Sequence, residues 1–134
     1  GAHPDDQFGR QMAPMAGMLN GDEAIRNMAA YISQLPITDS PDTISGNAER
    51  GMSIYNNNCA ACHGNDGSGS WATDAPHIAG MSDWYIATQL THFKAEIRGA
   101  HADDDYGEQM VSFATAMKNE QQKNDVIAYL NSLQ

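Results

Sequence analysis

The five residues Cys59-Ala60-Ala61-Cys62-His63 decide how the rest of this sequence is interpreted. Two thiols at this spacing can form thioethers to the two vinyl groups on one porphyrin edge, and the side chain that follows them can ligate the iron. The motif therefore predicts covalent attachment of one haem c through Cys59 and Cys62, with His63 as the proximal iron ligand.

Three other interpretations of the two cysteines remain open at this point. A disulfide between them would close only a very short loop. A zinc site needs further Cys or His ligands in a recognised spacing, and a thioredoxin-like dithiol needs strands that alternate with helices. The sequence supplies neither pattern, so covalent haem c is the interpretation that it favours.

Composition limits the classes of protein to which the chain can belong. Its 134 residues suffice for one ordinary domain but not for two complete ones. With 17 acidic and 7 basic residues the formal charge is -10, which opposes binding to nucleic acid or to an anionic membrane. The sequence has no apolar run of about 18 residues, so no membrane span is predicted. With only 3 Phe and 2 Trp, a core of normal density is expected to need a group that is not protein.

The sequence around the motif resembles the class I c-type cytochromes. Residues 46–51 lead a helix into Cys59, the segment Pro76-His77-Ile78-Ala79-Gly80 is similar to the family's P-x-L-A-G loop, and a helix that bears a tyrosine ends the chain. The similarity covers residues 46–134. Residues 84–90 (WYIATQL) and 106–110 (YGEQM) resemble segments of the tandem di-haem bacterial cytochromes of the c-four type.

The resemblance implies an all-α class I cytochrome c fold, in which helices wrap around one covalently bound haem. It also implies that Pro76 supplies the backbone carbonyl that accepts the free N–H of the proximal histidine and so orients the imidazole. Further candidates to bind the haem, through its propionates, are Trp84, Tyr85, Gln89 and Arg98. An aromatic residue at helical spacing can equally belong to an ordinary core, and both roles stay open for the aromatic pair.

The sixth iron ligand is expected among the eight methionines, although most methionines only fill gaps in cores. In the family, the ligand lies on a loop between the middle helix and the terminal helix, which leaves Met110 and Met117. Met110 follows Gly107, which would permit a turn, and belongs to a Gln-Met pair that occurs twice in the chain. The predicted metal ligands are therefore His63 and Met110.

An internal repeat divides the chain. Residues 1–35 align with residues 99–133 without a gap and share twelve identities, eight of them in the first twelve positions. Because the first copy has no C-x-x-C-H, the sequence predicts that residues 1–36 are the C-terminal part of a preceding, incomplete cytochrome c domain. Residues 36–45 contain two prolines and no apolar periodicity. Residues 37–45 are therefore predicted to be a linker, and residues 46–134 the haem domain.

Three explanations account for the incomplete copy. The chain is a fragment of a longer tandem protein that opens at the counterpart of the Arg98–Gly99 bond, or a one-haem protein that keeps residues 1–36 as a packing element. In the third explanation, a second chain or protomer completes the repeat. In each case Met12, the counterpart of Met110, is expected to be a ligand without a haem in this chain.

Local signals predict where the helices begin. Gly46 or Asn47 opens a helix that ends in the Asn56–Asn58 run, Ser82 with Asp83 caps the next helix, and Asn119 with Gln122 opens the last one. A further helix is predicted over residues 22–33, and residues 64–75, rich in Gly, Ser and Asp, are predicted to form a loop. No strand is predicted anywhere.

These expectations point to electron transfer. An iron with both axial positions filled by His63 and Met110 has no place for oxygen or peroxide, and the thioether ligand favours a positive reduction potential. Residues 39–134 carry 13 acidic and 5 basic side chains, so redox partners with basic docking faces are expected. Because haem c is attached outside the cytoplasm, the periplasm of a bacterium is the expected location.

Two other functions stay open. In the first, the chain is the electron-accepting haem subunit of a larger oxidoreductase, such as a flavocytochrome dehydrogenase. Copurification with a flavoprotein would identify this case. In the second, the chain is a haem enzyme or gas sensor in which Met110 does not ligate the iron.

Overall fold

A computed structural model describes residues 2–36, 38 and 40–133 of the chain, in two compact units, Gly1–Thr38 and Asp39–Gln134. Over these described residues the secondary structure is helical, apart from one isolated antiparallel bridge between Ser70 and Ala75. The helices are α1 (Gln7–Ala16), α2 (Gly21–Ile32), α3 (Ala48–Asn58), α4 (Ala60–His63), α5 (Asp83–Lys94), α6 (Asp105–Ala116) and α7 (Glu120–Asn131). The predicted all-α fold is confirmed. Among the described helices, none is long and apolar enough to cross a bilayer.

The core of the second unit forms where α3 crosses α7. A Cβ atom on Gly51 would lie 1.9 Å from the Asp125 carbonyl oxygen and 2.9 Å from the Tyr129 Cβ, so only glycine allows the two helices to approach this closely. Beside the crossing, the ring centroids of Tyr55 and Tyr129 lie 5.3 Å apart. The buried cluster consists of Tyr55, Ile86, Val126, Ile127 and Leu130.

A buried carboxylate ties the start of α3 to the middle of α7. Asp125, 2 % exposed, accepts hydrogen bonds from both Arg50 Nε at 2.8 Å and Arg50 Nη2 at 3.1 Å, and from the Asn47 backbone N–H at 2.7 Å. Gln121 Nε2 donates a further bond to it at 2.8 Å. The Arg50 guanidinium, above all, holds the pKa of Asp125 at about 2, because these partners stabilise the ionised form. Of the two residues predicted to open α3, Asn47 is the cap, and its side chain accepts a bond from the Arg50 N–H.

A second buried carboxylate, Asp83 at the start of α5, holds the extended chain that precedes α3. It accepts hydrogen bonds from the backbone N–H groups of Thr43 and Ile44. Burial alone would raise the pKa of Asp83, but these donors outweigh it and the pKa is lowered. Ser82 occupies the N-cap position without a side-chain cap bond, so Asp83 is the anchoring side chain here.

The described part of the predicted linker is held to the second unit by hydrogen bonds. Ser82 Oγ donates to Ser40 Oγ at 2.9 Å, and Asn131 Nδ2 donates to Asp42 Oδ1 at 2.7 Å. A Cβ on Gly46 would lie 2.2 Å from the Asn124 carbonyl oxygen. Residues 40–46 are therefore bound along the second unit, and positions 37 and 39 lie outside the described residues.

The region expected to be a ligand loop is a helix. Met110 lies inside α6, whose first turn is capped by Asp104 Oδ1, which accepts a hydrogen bond from the Gly107 N–H at 2.8 Å. Gly107 makes no turn: it is buried, and a Cβ there would lie 2.6 Å from the Gly99 Cα. The sequence interpretation explained Gly107 by the backbone freedom of glycine. The structure requires glycine there because the Gly99 backbone lies too close for a side chain.

The two repeat copies share this local structure. In α1, Asp6 Oδ1 accepts a bond from the Gly9 N–H at 2.8 Å, matching the Asp104–Gly107 cap. Likewise, the imidazoles of His3 and His101 each accept a bond at 3.2 Å from a backbone N–H two residues on. The sequence repeat is therefore accompanied by a repeat of the same hydrogen-bonded turn before a helix.

The two copies differ in burial. In α7, Val126 and Leu130 are each 2 % exposed, whereas their counterparts in α2, Met28 and Ile32, are 44 % and 56 % exposed. In the described residues, α1 and α2 contain no buried residue. The apolar face that α7 packs against α3 is thus left open on α2 within its own unit.

The Asp125 contacts predict a specific pH dependence of stability. Because the folded pKa of about 2 lies below the ordinary value of 3.8, the carboxylate stabilises the fold above pH 4, and this contribution disappears as the pH falls to 2. We expect Asp125→Asn to lower the free energy of unfolding at pH 7 by about 2 kcal/mol or more. The difference from the original chain should shrink between pH 4 and pH 2.

Chemical denaturation across this pH range measures the effect. Asp103→Asn is the matched control, because it removes the same charge from a side chain that is 90 % exposed. A loss that is equal in the two variants, or independent of pH, would contradict the assignment.

Candidate functional site

Cys59 and Cys62 lie on the single turn that joins α3 to His63. Cys59 ends α3 and begins α4, and its carbonyl oxygen accepts hydrogen bonds from the N–H groups of Cys62 at 3.1 Å and His63 at 2.9 Å. Both thiols are free and half-buried. Burial raises the pKa of Cys59 to about 11, with a smaller contribution from Cys62, so the thiol is neutral at pH 7.

These thiols suit thioether formation better than zinc binding. Zinc requires thiolates, which the surroundings of Cys59 disfavour, whereas a thioether carries no charge. Among the described residues, no group of three or more His, Cys, Asp or Glu side chains could hold a metal ion. The absence of a disulfide between Cys59 and Cys62 leaves both sulfur atoms available.

His63 is held in one orientation. Its side chain is buried, with the residue 7 % exposed, and its Nδ1 lies 3.0 Å from the Pro76 carbonyl oxygen. Because the carbonyl can only accept, Nδ1 carries the proton and donates. That tautomer leaves the Nε2 lone pair available to ligate a metal. The structure thus brings Pro76 to His63, as the sequence resemblance implied.

Residues that sequence reasoning missed hold the backbone around this histidine. The Tyr55 hydroxyl donates to the Gly64 carbonyl at 2.6 Å, and Thr73 Oγ1 donates to the Cys62 carbonyl at 2.9 Å. Tyr55 is fully buried, and its burial raises its pKa to about 12. No sequence signal could have identified these two contacts, because both join the motif to positions whose distance in space depends on the fold.

The loop from residue 64 to residue 75 returns to the motif through its glycines. The Gly69 N–H donates to the His63 carbonyl at 2.9 Å, and the N–H groups of Ile78 and Ala79 donate to the Gly67 carbonyl at 2.8 and 3.2 Å. Gly69 has a φ of 84°, and a Cβ there would lie 2.7 Å from the Ala75 carbonyl oxygen. This close approach fixes the position of Pro76, which follows directly.

The four side chains assigned to the haem propionates fall into two pairs. Arg98 Nη1 donates to Gln89 Oε1 at 2.7 Å. The rings of Trp84 and Tyr85 meet edge to face with centroids 6.0 Å apart. Trp84 is 57 % exposed and Tyr85 37 %, so neither belongs to the buried core cluster.

Met110 lies within α6, whereas Met117 directly follows it. Met110 is half-buried and shares a helix face with buried Gly107 and Ala114, three residues before it and four after it. Met117 is half-buried and extended, and it is the cap residue that follows the last residue of α6. Its carbonyl accepts a bond from Lys94 Nζ at 2.8 Å. Among the contacts of the described residues, the Pro76 carbonyl meets the His63 ring. Neither methionine is brought to His63 by those contacts.

The residues present fit a covalently bound haem. The motif offers two free, half-buried thiols on one helical turn beside an oriented imidazole. Several large apolar side chains of the same unit are exposed that a flat apolar group could cover. They are Trp84 at 57 %, Tyr106 at 53 % and Phe113 at 40 %. The sequence expectation that the core needs a group other than protein agrees with this exposure.

The loop packing predicts a difference between two glycine substitutions. Gly64 and Gly69 both have a positive φ, of 80° and 84°, so alanine strains the backbone at both. In Gly64→Ala the new Cβ meets the Asp66 carboxylate at 3.1 Å, which can move, but in Gly69→Ala it meets the Ala75 carbonyl at 2.7 Å. We expect Gly69→Ala to lose about 1–3 kcal/mol more stability than Gly64→Ala.

Chemical denaturation of both variants gives this difference. Equal losses would show that backbone strain alone, rather than the close approach beside Pro76, sets the cost at residue 69.

Comparison with known proteins places the chain in a family. The family model described as Cytochrome c matches residues 48–134. The chain is 31 % identical over 121 residues to cytochrome c4 of Azotobacter vinelandii, covering 82 % of this chain and 54 % of that protein. It is 38 % identical over 74 residues to the cbb3-type cytochrome c oxidase subunit FixPc of Rhizobium leguminosarum bv. viciae, covering 55 % and 24 %. It is 42 % identical over 65 residues to the oxidase subunit CcoP of Azospirillum brasilense, covering 48 % and 19 %.

The chain therefore spans about half the length of the first of these relatives and less than a quarter of the other two. The matched region contains the cysteines, the histidine and the helices that position them. The resemblance to c-type cytochromes of the c-four type is confirmed, and with it the prediction of covalently bound haem c. This chain belongs to the cytochrome c family.

Proposed function

We propose that this chain is a one-electron carrier in which Cys59 and Cys62 hold the haem c, and His63 and Met110 are the iron ligands. The observation that carries the proposal is the hydrogen bond from His63 Nδ1 to the Pro76 carbonyl, because it prepares the imidazole as a strong, fixed ligand. When bound, the haem supplies the one-electron couple. The chain orients the ligand and keeps water from its buried face.

Met110 is the proposed sixth ligand because it shares the face of α6 that carries buried Gly107 and Ala114. A thioether there would leave the iron without an open position and would raise the reduction potential. This arrangement favours electron exchange over binding of oxygen or peroxide. Pro76, Trp84, Tyr85, Gln89 and Arg98 complete the proposed haem-binding set.

The proposed location is the periplasm of a bacterium, because haem c is attached outside the cytoplasm and the relatives named above are bacterial. The proposed partners are redox proteins with basic docking faces, because the chain carries a formal charge of -10. Encounters of this kind form fast and weaken with salt.

We also propose that the open apolar face of residues 1–36 is covered by a segment like residues 46–98, from a preceding part of a longer chain, a second chain or a protomer. The support is the contrast between Ile32, 56 % exposed, and its counterpart Leu130, 2 % exposed. In the second unit, α3 covers the equivalent face of α7. Met12 would then be the corresponding ligand of a second haem.

Substitution of the two candidate methionines tests the ligand set. In Met110→Leu the oxidised protein should lose the sulfur-to-iron charge-transfer band, bind cyanide and carbon monoxide readily, and have a lower reduction potential. Met117→Leu removes a thioether of similar burial and should keep the band. Visible and near-infrared spectra of both holoproteins, with the intact mass to count haems, make the measurement.

Loss of the band in Met117→Leu alone would move the ligand to Met117. If the unsubstituted protein lacks the band and binds carbon monoxide at neutral pH, the carrier proposal gives way to a haem enzyme or gas sensor.

A second candidate function, a haem domain of a larger oxidoreductase, is favoured by the similarity to subunits named as parts of cbb3-type oxidases. A flavocytochrome dehydrogenase is another complex of this kind. We expect a free carrier to purify alone from its native source. Stoichiometric copurification with an oxidase or a flavoprotein, under salt that disrupts transient encounters, would establish the subunit role instead.

A further inference from the structure

Trp71 is the most exposed large apolar side chain among the described residues, with 99 % of its surface accessible. An indole in this position adds almost no packing to the fold, although its burial elsewhere would stabilise a structure strongly. Its neighbours along the chain belong to the loop that follows His63. Packing within the chain therefore does not account for a tryptophan at this position.

The loop that carries Trp71 is held firmly. Ser70 and Ala75 exchange backbone hydrogen bonds of 2.9 and 3.1 Å, which close the short segment between them. Within it, Thr73 Oγ1 donates to the Cys62 carbonyl at 2.9 Å. The indole is thus presented from a closed loop that is bonded directly to the haem-attachment residue Cys62. A loop whose backbone is held before binding loses little conformational entropy when a partner covers it.

The loop that carries Trp71 contains two acidic residues, Asp66 and Asp74. The Asp74 carboxylate interacts with the Tyr106 hydroxyl and raises the pKa of Tyr106, and Asp105 contributes a weaker charge effect in the same direction. This contact joins the loop to the acidic start of α6. Residues 51–93 contain no Lys or Arg. Trp71 therefore lies three residues before Asp74, in a loop that meets the acidic start of α6.

We propose that Trp71 is the central contact of a docking surface for a redox partner whose face presents Lys or Arg side chains around an apolar patch. The proposal rests on the electron-transfer function proposed above and names the surface through which the partner binds. A buried tryptophan within a charged rim is the usual composition of an energetically dominant contact. Docking at this loop brings the partner to the Cys62 side of the site.

Charge decides among the possible occupants. A second copy of this chain, with a formal charge of -10, would bring like charges together around Trp71, and an anionic membrane would be repelled in the same way. A basic protein gains attraction from Asp74 and Asp105 and can bury the indole. The acidic rim is expected to set the association rate, and Trp71 the lifetime of the complex.

The test uses the holoprotein and mitochondrial cytochrome c as a lysine-rich redox probe. The dissociation constant is measured by calorimetry, and the electron-transfer rate by stopped flow, at low salt and at about 0.5 M salt, where long-range charge effects are largely screened. We expect Trp71→Ala to weaken binding about tenfold or more at both salt concentrations. Trp71→Phe should restore part of the affinity.

Met52→Ala is the matched control, because Met52 is a large apolar residue on α3 that is 43 % exposed. It should change the affinity less than twofold. The visible spectrum and the rate of oxidation by ferricyanide, a small anion that does not need the docking surface, should be the same in Trp71→Ala and the original protein.

The outcomes separate this inference from the proposed function. If the original protein exchanges electrons with ferricyanide but Trp71→Ala binds the probe as well as Met52→Ala does, the docking role of Trp71 is wrong and the carrier function stands. The same holds if the original protein does not bind the basic probe, or if it self-associates through Trp71 in sedimentation. Failure to exchange electrons with either reagent would instead refute the proposed function.

Discussion

The crossing of α3 and α7 at Gly51 is the contact on which the rest of the site depends. It lets the helix axes approach to a distance that any side chain would prevent, and it aims the C-terminal end of α3 at the point where Cys59 begins α4. Because Cys62 and His63 follow on the same turn, the direction of α3 determines where both thiols and the imidazole lie.

Two buried carboxylates, Asp125 and Asp83, hold this arrangement through hydrogen bonds. Asp125 fixes the first turn of α3 to α7 through Arg50 and the Asn47 N–H, and Asp83 fixes the preceding segment to the start of α5. Each is satisfied by several donors, which is the condition under which a buried carboxylate stabilises a fold. The helix that leads into the haem-attachment turn is therefore held at its start and along the segment that precedes it.

Much of the fold could be predicted because the signals are local. Asn47 and Asn119 cap α3 and α7 as expected, since a cap needs only the next three residues. The helix predicted over residues 22–33 corresponds to α2. The prediction failed at residues 105–116, where Gly107 suggested a turn. Its role there is to lie against Gly99, and a contact between separate segments leaves no trace in a local pattern.

The sequence by itself determined the covalent chemistry: the spacing of Cys59, Cys62 and His63 specifies haem c, because thioether geometry constrains adjacent residues only. Tertiary structure decided what surrounds that chemistry. It joined Tyr55 and Thr73 to the motif backbone, brought Pro76 to His63, and placed Met110 inside a helix. It also left Trp71 exposed. These outcomes depend on how distant segments pack, and packing distances between separate segments are set by the whole fold rather than by neighbours in sequence.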